Sequence, residues 1–337
     1  MARFAAAVLS ALLGLTAARA GGPQRGGGAA GGIVDVDLRG ACGAGGCPVP
    51  EAKWADGGRS VVAVFGFAVV VINHHPGRPS DKLLSFGVCT DRDDMANTHS
   101  AEALPGGRLA VATTAAAAGS ANVLVFDRAP GRLDALAAPV QRLGAGGIAA
   151  VHAVLWDPRR AVLWAAGNDV SPLTGGSRSI LNAYAWAGGR LASAPRTSLV
   201  ARAAHLTAEW GPRTPWWDGA HAMVPVPGED KLLVTTDLDV HVYDVRAGTV
   251  EHGQPVAERY LAGFRPAGAR VGLDGVPLPR SDIKSLSMLA NRDTLYVQAV
   301  WNQTYGETVG VLENGRLAGT LWSQMLYRSR WFAETAW

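Results

Sequence analysis

Four basic side chains recur at the start of similar segments, and their types suit them to chemistry. His99, His152, His221 and Lys284 each precede a short apolar run, a turn and a second apolar run. A neutral imidazole can accept a proton, whereas an imidazolium or an ammonium can donate one or neutralise an anion. We call these four side chains the head residues and treat them as candidate catalytic residues.

The head residues could bind more than one kind of ligand. Three imidazoles suit a transition metal, although no short His-x-x-x-His spacing is present. Protonated imidazoles with a lysine suit an anion, above all a carboxylate. Calcium or another divalent cation near the heads is a further alternative, but the acidic run Asp91–Asp94 lacks the usual calcium-loop frame.

The segments that follow the heads predict antiparallel β-strands joined by tight turns. The turns are Pro105–Gly107, Asp157–Arg159, Pro227–Glu229 and Asn291–Asp293. A third strand is predicted in each unit, at Asn122–Asp127, Ile180–Tyr184, Val240–Asp244 and Glu307–Leu312. A unit of three or four strands that recurs at tens of residues is typical of a β-propeller blade.

The predicted fold is all-β, a single β-propeller of six or seven blades over residues 33–337. Val61–Asn73 supplies an earlier blade, and the insertion Leu199–Trp217 could contain another. Tyr327–Trp337 is expected to pair with Gly32–Asp37 and close the ring, which removes free sheet edges. A β-sandwich is the alternative, but it does not predict a repeated head residue. No helix is expected, because Pro and Gly interrupt nearly every long window.

Equivalent positions in successive blades lie on a circle about the propeller axis, so the four heads should face one central site. Buried cationic groups crowded at an axis repel one another and need an anion or a metal. As an alternative, each head hydrogen-bonds only to the neighbouring blade. Glu102, three residues after His99, is either a solvated charge near the turn or a partner that orients this head. We include it among the substrate-binding candidates.

Aromatic side chains form a second group of substrate-binding candidates. Trp210, Trp216 and Trp217 surround Glu209 and Asp218 on the insertion before the third head. Aromatic rings beside carboxylates near a propeller mouth can form a platform for sugar rings. Core packing of a capping loop is the alternative.

The N-terminus has the three parts of a secretory signal peptide, which we assign to residues 1–20. Arg3 precedes the apolar run Phe4–Leu15, and Ala18–Ala20 offers a small-residue cleavage site. Residues 21–32 are expected to be a flexible Gly-rich leader. No later segment is long and apolar enough to suggest a membrane span. We therefore expect a secreted, extracellular monomer.

Charge and cysteine content restrict the partners further. The formal net charge is +3 and the basic residues are scattered, which argues against nucleic acid. Cys42 and Cys47 flank a flexible Gly-Ala-Gly-Gly loop and are expected to form a disulfide. Cys89 would then be a buried, inert thiol. Asn302 begins a glycosylation sequon.

Several runs in the chain resemble a known family. They are Thr98–Gly107, His152–Asp157, Ala220–Gly228 and Ile283–Ser287, of which His-Ser-Ala-Glu-x-Leu-Pro is the most specific. Together they resemble secreted fungal and bacterial propellers of largely unknown function, and polysaccharide lyase family 42, the L-rhamnose-α-1,4-D-glucuronate lyases, is similar to that group. The likeness runs from about Ile33 to the C-terminus.

The resemblance implies β-elimination at a uronic acid in a polysaccharide. This reaction needs a cation to neutralise the carboxylate, a base to remove the C5 proton and an acid to protonate the leaving oxygen. It implies that Lys284 or a bound cation neutralises the carboxylate. His99 would be the base, with His152 or His221 as the acid. A non-catalytic propeller that binds glycan or protein at the same mouth is the alternative.

Overall fold

The computed structural model describes only part of the chain. The described residues are Cys42 and residues 51–64, 68–90, 93–114, 121–128, 132–133, 137–145, 147–171, 177–200, 219–267, 270–271, 277–278, 283–300, 303 and 305–337. The predicted signal peptide and leader, Cys47, Asn302 and the three insertion tryptophans lie outside them.

Five antiparallel sheets of at least four strands follow one another along the described chain. The first contains β1 (Glu51–Ala55), β2 (Ser60–Val64), β3 (Ala68–Asn73) and β4 (Leu84–Cys89). The second contains β5 (Thr98–Leu104), β6 (Arg108–Thr113), β7 (Val123–Asp127) and, after β8 (Arg132–Leu133), β9 (Gln141–Leu143). The short β8 pairs in parallel with β4 of the first sheet.

The third sheet contains β10 (Ala149–Asp157), β11 (Val162–Asn168), β12 (Ser179–Ala187), β13 (Arg190–Leu191) and β14 (Arg196–Leu199). The fourth contains β15 (Ala220–Pro225), β16 (Lys231–Thr236), β17 (Val240–Asp244) and β18 (Thr249–His252). A two-stranded pair, β19 (Arg270–Val271) and β20 (Pro277–Leu278), precedes the fifth sheet. The fifth contains β21 (Ile283–Met288), β22 (Thr294–Gln298), β23 (Gly306–Glu313) and β24 (Arg316–Leu326).

These sheets are the blades of an all-β β-propeller, which confirms the predicted fold class. The four predicted hairpin turns and third strands are present at or within a few residues of their expected positions. The described residues contain five blades, fewer than the six or seven predicted. The segments expected to supply further strands, Gly32–Asp37 and most of Leu199–Trp217, lie outside the described residues.

Apolar side chains between consecutive blades hold the ring together. Phe86 of blade one and Phe126 of blade two belong to one buried cluster, and their ring centroids are 6.5 Å apart. Similar clusters join blades two and three, three and four, and four and five. Because both faces of blades two, three and four are covered in this way, the middle strands of these blades are apolar on both faces.

The C-terminal segment lies between blade five and blade one. The Ser329 N–H donates to Ser285 Oγ (3.1 Å), and the Ser285 hydroxyl donates to the Ser329 carbonyl (2.9 Å). Two residues further on, the Trp331 N–H donates to Ser287 Oγ (3.0 Å). The segment therefore runs along the innermost strand β21. Its predicted partner, Gly32–Asp37, lies outside the described residues.

The structure contradicts the predicted Cys42–Cys47 disulfide. Cys42 is bonded to Cys89, with the two Cα atoms 5.3 Å apart. Cys89 is the last residue of β4, and both sulfur side chains are buried beside the outer strands of blade one. Closeness in sequence favoured Cys47, but tertiary folding brings together two residues 47 positions apart.

One short helix, α1 (Gln254–Tyr260), contradicts the expectation of no helix. Pro255 lies in its first turn, where a missing N–H costs nothing because that position has no partner in a helix. Val256, Ala257 and Tyr260 are buried, and Val256 and Tyr260 belong to the apolar cluster between blades four and five. Pro255 therefore marks the beginning of this helix and does not interrupt it.

Candidate functional site

Each head residue lies at a β-bulge at the start of the innermost strand of its blade. His99 is the extra residue between Thr98 and Ser100, which pair with Thr113 and Ala112. His221 and Lys284 occupy the same kind of irregularity, and His152 lies in a wider one. A bulge turns a side chain away from the regular alternation of a strand. Here it accompanies the side chains that meet near the axis.

The four head residues form one buried cluster. The ring centroids of His99 and His152 are 4.5 Å apart, and those of His152 and His221 are 4.7 Å apart. Lys284 Nζ lies 3.2 Å from His221 Nε2. Each of the four residues is at most 6% exposed. The structure thus brings together the residues that the repeat singled out, and their catalytic role stays a prediction.

Two of the imidazoles are held neutral. His99 Nδ1 lies 2.8 Å from the Asn97 carbonyl and His152 Nδ1 lies 2.9 Å from the Ala150 carbonyl. A carbonyl oxygen only accepts, so both Nδ1 atoms carry the hydrogen and both Nε2 atoms keep a lone pair. Burial lowers the pKa of His99 to about 3 and that of His152 well below its ordinary value. These two heads are therefore not the cations that the sequence suggested.

The third histidine is paired with a carboxylate that the sequence did not indicate. Asp237 Oδ1 lies 2.6 Å from His221 Nε2 and 3.9 Å from Lys284 Nζ, and the Gly219 N–H donates to Asp237 Oδ2 (2.9 Å). Burial alone would raise the pKa of Asp237, but these neighbours outweigh it and lower the pKa below its ordinary value. Asp237 is therefore the internal counter-ion of the cluster.

Tyr327 is a second residue of the cluster that the repeat could not reveal. Its ring centroid lies 5.6 Å from that of His99, and its hydroxyl lies 3.4 Å from His221 Nδ1. Tyr305 lies beside it, with ring centroids 6.2 Å apart. Tyr327 follows β24 directly, so it belongs to the C-terminal segment and to no repeated head position.

A buried arginine lies next to the head residues. Arg328 Nη2 donates to the carbonyls of His152 (2.6 Å) and His221 (3.3 Å). Its Nη1 lies 3.4 Å from Glu51 Oε1, and both side chains are 1% exposed. Burial would raise the pKa of Glu51, but Lys53 and two arginines outweigh it and hold the pKa below its ordinary value. Arg328 therefore connects the backbone of two head residues to Glu51.

Glu102 does not orient a head residue. Its Oε2 lies 3.0 Å from Lys53 Nζ, which also donates to Ser100 Oγ (3.1 Å) and the Val154 carbonyl (2.6 Å). Strand alternation places Ser100 and Glu102 on the same face of β5. The carboxylate therefore belongs to a network of charges with Lys53 and Glu51, and burial raises the pKa of Glu102.

The described part of the chain provides neither a cluster of metal-ligating side chains nor a membrane-spanning helix. No group of three or more His, Cys, Asp or Glu side chains in that part of the chain is placed to hold a metal ion. None of its helices is long and apolar enough to cross a membrane. The expected divalent cation near the axis therefore gains no support from the described side chains.

Fold and site together define a β-propeller whose inner strands direct three histidines and one lysine to a buried axial cluster. No family model matches the chain, and no curated protein matches it by sequence. Among solved structures, the chain is similar to the β-propeller domain of Cps50 (Swd1) from Myceliophteria thermophila, at 13% identity and a TM-score of 0.43. The likeness covers 83% of this chain and 89% of that one. It carries no argument about function, and the propeller assignment comes from the strand order.

Proposed function

We propose that this protein is a secreted polysaccharide lyase that cleaves next to a uronic acid by β-elimination at the head cluster. One observation carries the proposal. Two neutral imidazoles with unprotonated Nε2 atoms share one buried cluster with Lys284, whose Nζ lies 3.2 Å from His221 Nε2, so a base and a cation belong to the same site. Export is part of the proposal, and a disulfide between Cys42 and Cys89 is compatible with an oxidising compartment.

In the proposed reaction, Lys284 neutralises the uronate carboxylate and so acidifies the C5 proton. His99 takes that proton on Nε2. The electron pair of the broken C5–H bond forms the C4–C5 double bond, and the C4–O bond breaks with its electron pair going to the leaving oxygen. His221 supplies a proton to the leaving oxygen, and Asp237, whose Oδ1 lies 2.6 Å from His221 Nε2, orients the imidazole for this step. His152 then keeps the ring of His99 in place through edge contact.

The test is a lyase assay on arabinogalactan-type and pectic glycans, followed by the absorbance of the unsaturated uronate. Loss of a general base should lower the rate by roughly 100-fold to 10,000-fold, so His99→Ala should lose nearly all product formation. His241→Ala is the matched control, since His241 is also a buried histidine but lies on β17 of blade four, away from the heads. Full activity of His99→Ala would overturn this assignment.

A non-catalytic propeller that binds glycan or a protein partner at the same mouth is the second candidate. The burial of the head residues favours it, because each is at most 6% exposed and has an internal partner. A polar cluster of this kind can also serve the fold alone. Saturable glycan binding without an unsaturated product would support this candidate over the lyase.

The complete ring of six or seven blades, the monomeric state and the cleaved signal peptide remain parts of the proposal. Trp210, Trp216 and Trp217 are proposed to contact the sugar, and Asn302 to carry a glycan. N-terminal sequencing of the exported protein should begin after Ala20 if the signal peptide is cleaved as predicted. Light scattering of the purified protein measures its molar mass, which should equal that of one chain if the protein is a monomer.

A further inference from the structure

The residues two positions before His99 and His152 adopt a backbone conformation that L-amino acids rarely take. The φ angle is 53° at Asn97 and 45° at Ala150. In this left-handed region Cβ crowds the following carbonyl oxygen, so glycine adopts it freely and alanine seldom does. Backbone strain of this kind persists only where the surrounding structure holds it, and it is common at functional sites. The same strain therefore occurs at the same position relative to two head residues.

The strained backbone directs a carbonyl oxygen at each imidazole. The Asn97 carbonyl accepts from His99 Nδ1 at 2.8 Å, and the Ala150 carbonyl accepts from His152 Nδ1 at 2.9 Å. A hydrogen on Nδ1 leaves Nε2 with a lone pair, so each carbonyl fixes one tautomer of its imidazole. The left-handed conformation thus coincides with the contact that decides which ring nitrogen can accept a proton.

The third histidine has a different arrangement. Gly219 lies two positions before His221, but its carbonyl accepts from the Asp237 main-chain N–H at 3.2 Å. His221 Nε2 instead lies 2.6 Å from Asp237 Oδ1. A carbonyl two positions back therefore sets the tautomer of His99 and His152, whereas a carboxylate orients His221. This difference matches the proposed roles, in which His99 accepts a proton and His221 donates one.

In blade two, Thr114 holds the strained residue in place. The Thr114 N–H donates to the Asn97 carbonyl at 3.2 Å, and Asn97 Nδ2 donates to Thr114 Oγ1 at 2.7 Å. Thr114 directly follows β6, so these two hydrogen bonds join both the main chain and the side chain of Asn97 to the end of that strand. Asparagine also tolerates the left-handed region better than most residues. The Asn97 carbonyl is therefore fixed toward His99.

In blade three, a glycine on the neighbouring strand leaves room for the strained residue. Gly167 lies on β11, and a Cβ at this position would lie 2.5 Å from the Ala149 carbonyl oxygen and 3.2 Å from that of Ala150. A separation of 2.5 Å is too short for a methyl group, so a larger residue would displace this backbone. The three atoms nearest to that Cβ belong to residues 148–150. Gly167 therefore acts on the position of the Ala150 carbonyl.

We propose that Asn97, Ala150 and Gly167 are positioning residues of the head cluster. Asn97 and Ala150 turn their carbonyls toward Nδ1 of His99 and His152, which keeps both Nε2 atoms available as proton acceptors. Gly167 makes this arrangement possible in blade three. The effect on catalysis rests on the proposed lyase function, in which His99 takes the C5 proton on Nε2. The tautomers themselves do not depend on that function.

¹⁵N NMR of the full-length protein, labelled in its histidine rings, measures the tautomers, because protonated and unprotonated ring nitrogens resonate in separate ranges. His99→Gln and His152→Gln assign the two sets of signals by their loss. In the wild type at neutral pH, both imidazoles should carry the hydrogen on Nδ1 and none on Nε2. A hydrogen on Nε2 of either ring would overturn the proposal.

Ala150→Gly and Ala150→Val test the strained conformation. Glycine adopts a positive φ freely, so Ala150→Gly should retain the wild-type tautomer of His152. A β-branched residue is an outlier in this region, so Ala150→Val should turn the carbonyl away and move the hydrogen to Nε2 in at least roughly half of the His152 rings. His99 in the same sample is the internal control and should not change. An unchanged His152 tautomer in folded Ala150→Val would contradict the positioning role.

Gly167→Ala is the second variant for blade three, because valine at the buried position of Ala150 can prevent folding. It leaves Ala150 in place, and the new methyl group should displace the Ala150 carbonyl. The His152 tautomer should change and the His99 tautomer should not. If the His152 tautomer is unchanged in Gly167→Ala, the close approach of β11 has no positioning role and the proposal fails for blade three.

Asn97→Val makes the equivalent change in blade two and should alter only the His99 tautomer. Its matched control is Asn314→Val, since Asn314 also has a positive φ of 51° but lies in the turn between β23 and β24. Asn314→Val should leave both tautomers unchanged. Equal effects of Asn97→Val and Asn314→Val on His99 would show a general response to strain and overturn the proposal.

The lyase assay separates this inference from the proposed function. Asn97→Val should lower the rate of product formation by at least roughly two-fold, because a His99 ring with hydrogen on Nε2 cannot accept the C5 proton there. Unchanged tautomers would overturn the positioning role whatever the activity. Changed tautomers with no cleavage by the wild type would overturn the lyase function and leave the positioning role intact. Changed tautomers with full activity of Asn97→Val would show that His99 Nε2 is not the base.

Discussion

Asp237 Oδ1 lies 2.6 Å from His221 Nε2, and the two side chains are 1% and 3% exposed. A contact this short between a carboxylate and an imidazole nitrogen requires a proton between them. The pair therefore fixes which nitrogen of His221 carries the hydrogen, and it supplies the negative charge that Lys284 needs in a buried site. Both consequences can be measured.

Asp237→Asn should destabilise the protein strongly. The substitution leaves Lys284 buried without its carboxylate, and removal of one partner of a buried ion pair typically costs about 3–5 kcal/mol. Urea unfolding at pH 7.5 measures the free energy of unfolding. The matched control is Asp169→Asn, because Asp169 pairs with Arg178 at a more exposed position and should contribute less than about 1 kcal/mol. Similar losses in the two variants would contradict the counter-ion role.

Stability should fall as the pH drops from 6.5 to 5. Burial lowers the folded-state pKa of His99 and His241 to about 3 and that of His152 well below 6.5. Below pH 6.5 the unfolded chain therefore takes up protons that the folded chain refuses, and each histidine removes about 1.4 kcal/mol per pH unit. Above pH 6.5 these histidines are neutral in both the folded and the unfolded chain, so they no longer lower the free energy of unfolding.

The measurement is the free energy of unfolding at pH 5.0, 5.5, 6.0 and 7.5. His241→Gln removes one of the three groups, so its slope between pH 5 and 6 should be shallower than that of the wild type by about 1.4 kcal/mol per pH unit. The two slopes should coincide above pH 7. A wild-type slope near zero between pH 5 and 6 would show that these histidines are charged in the folded protein.

The sequence allowed the repeat, the hairpin turns and the convergence of the heads to be predicted, because these features repeat locally. His99, His221 and Lys284 each precede an apolar run, and position in a blade determines position relative to the axis. The bulges at the heads could not be predicted, since a single extra residue in a ladder leaves no mark in the hydrophobic pattern.

Asp237, Tyr327 and Arg328 were missed for another reason. Asp237 follows β16 directly, where an aspartate is typical of an ordinary turn. Only the pairing of β15 with β16 brings Asp237 to His221. Tyr327 and Arg328 belong to a segment that occurs once, so repetition could not reveal them. A residue that is distant in sequence from the head residues, and that does not recur in each blade, cannot be recognised as their partner from a single sequence.

The disulfide should contribute measurably to stability. A bridge between Cys42 and Cys89 closes a loop of about fifty residues, and removal of a native disulfide typically costs about 2–5 kcal/mol. Cys89→Ser should therefore lower the urea midpoint. Cys47→Ser is the control, because the observed bridge does not involve Cys47. Peptide mapping without reduction should recover the Cys42–Cys89 pair, and a Cys42–Cys47 peptide would contradict the structure.

Asp56 joins the hairpin turn of blade one to blade two through Arg128. Arg128 Nη1 and Nη2 donate to the two carboxylate oxygens of Asp56, at 2.6 and 2.8 Å. These hydrogen bonds are the largest influence on Asp56 and lower its pKa. The bond from Arg128 therefore adds stability above the ordinary pKa of an aspartate, and this stability is lost as the pH falls through the lowered value.

Asp56→Asn should reduce the free energy of unfolding at pH 7 by about 1 kcal/mol, a figure that allows for solvent screening of a half-buried group. The difference from wild type should shrink as the pH falls below the ordinary pKa of an aspartate, because the unfolded chain then takes up a proton that the bonded carboxylate of the folded protein refuses. Asp127→Asn is the control, since Asp127 pairs with Arg108 of its own blade and is more exposed. If Asp127→Asn costs as much as Asp56→Asn, the bidentate contact between blades adds nothing beyond an ordinary surface ion pair.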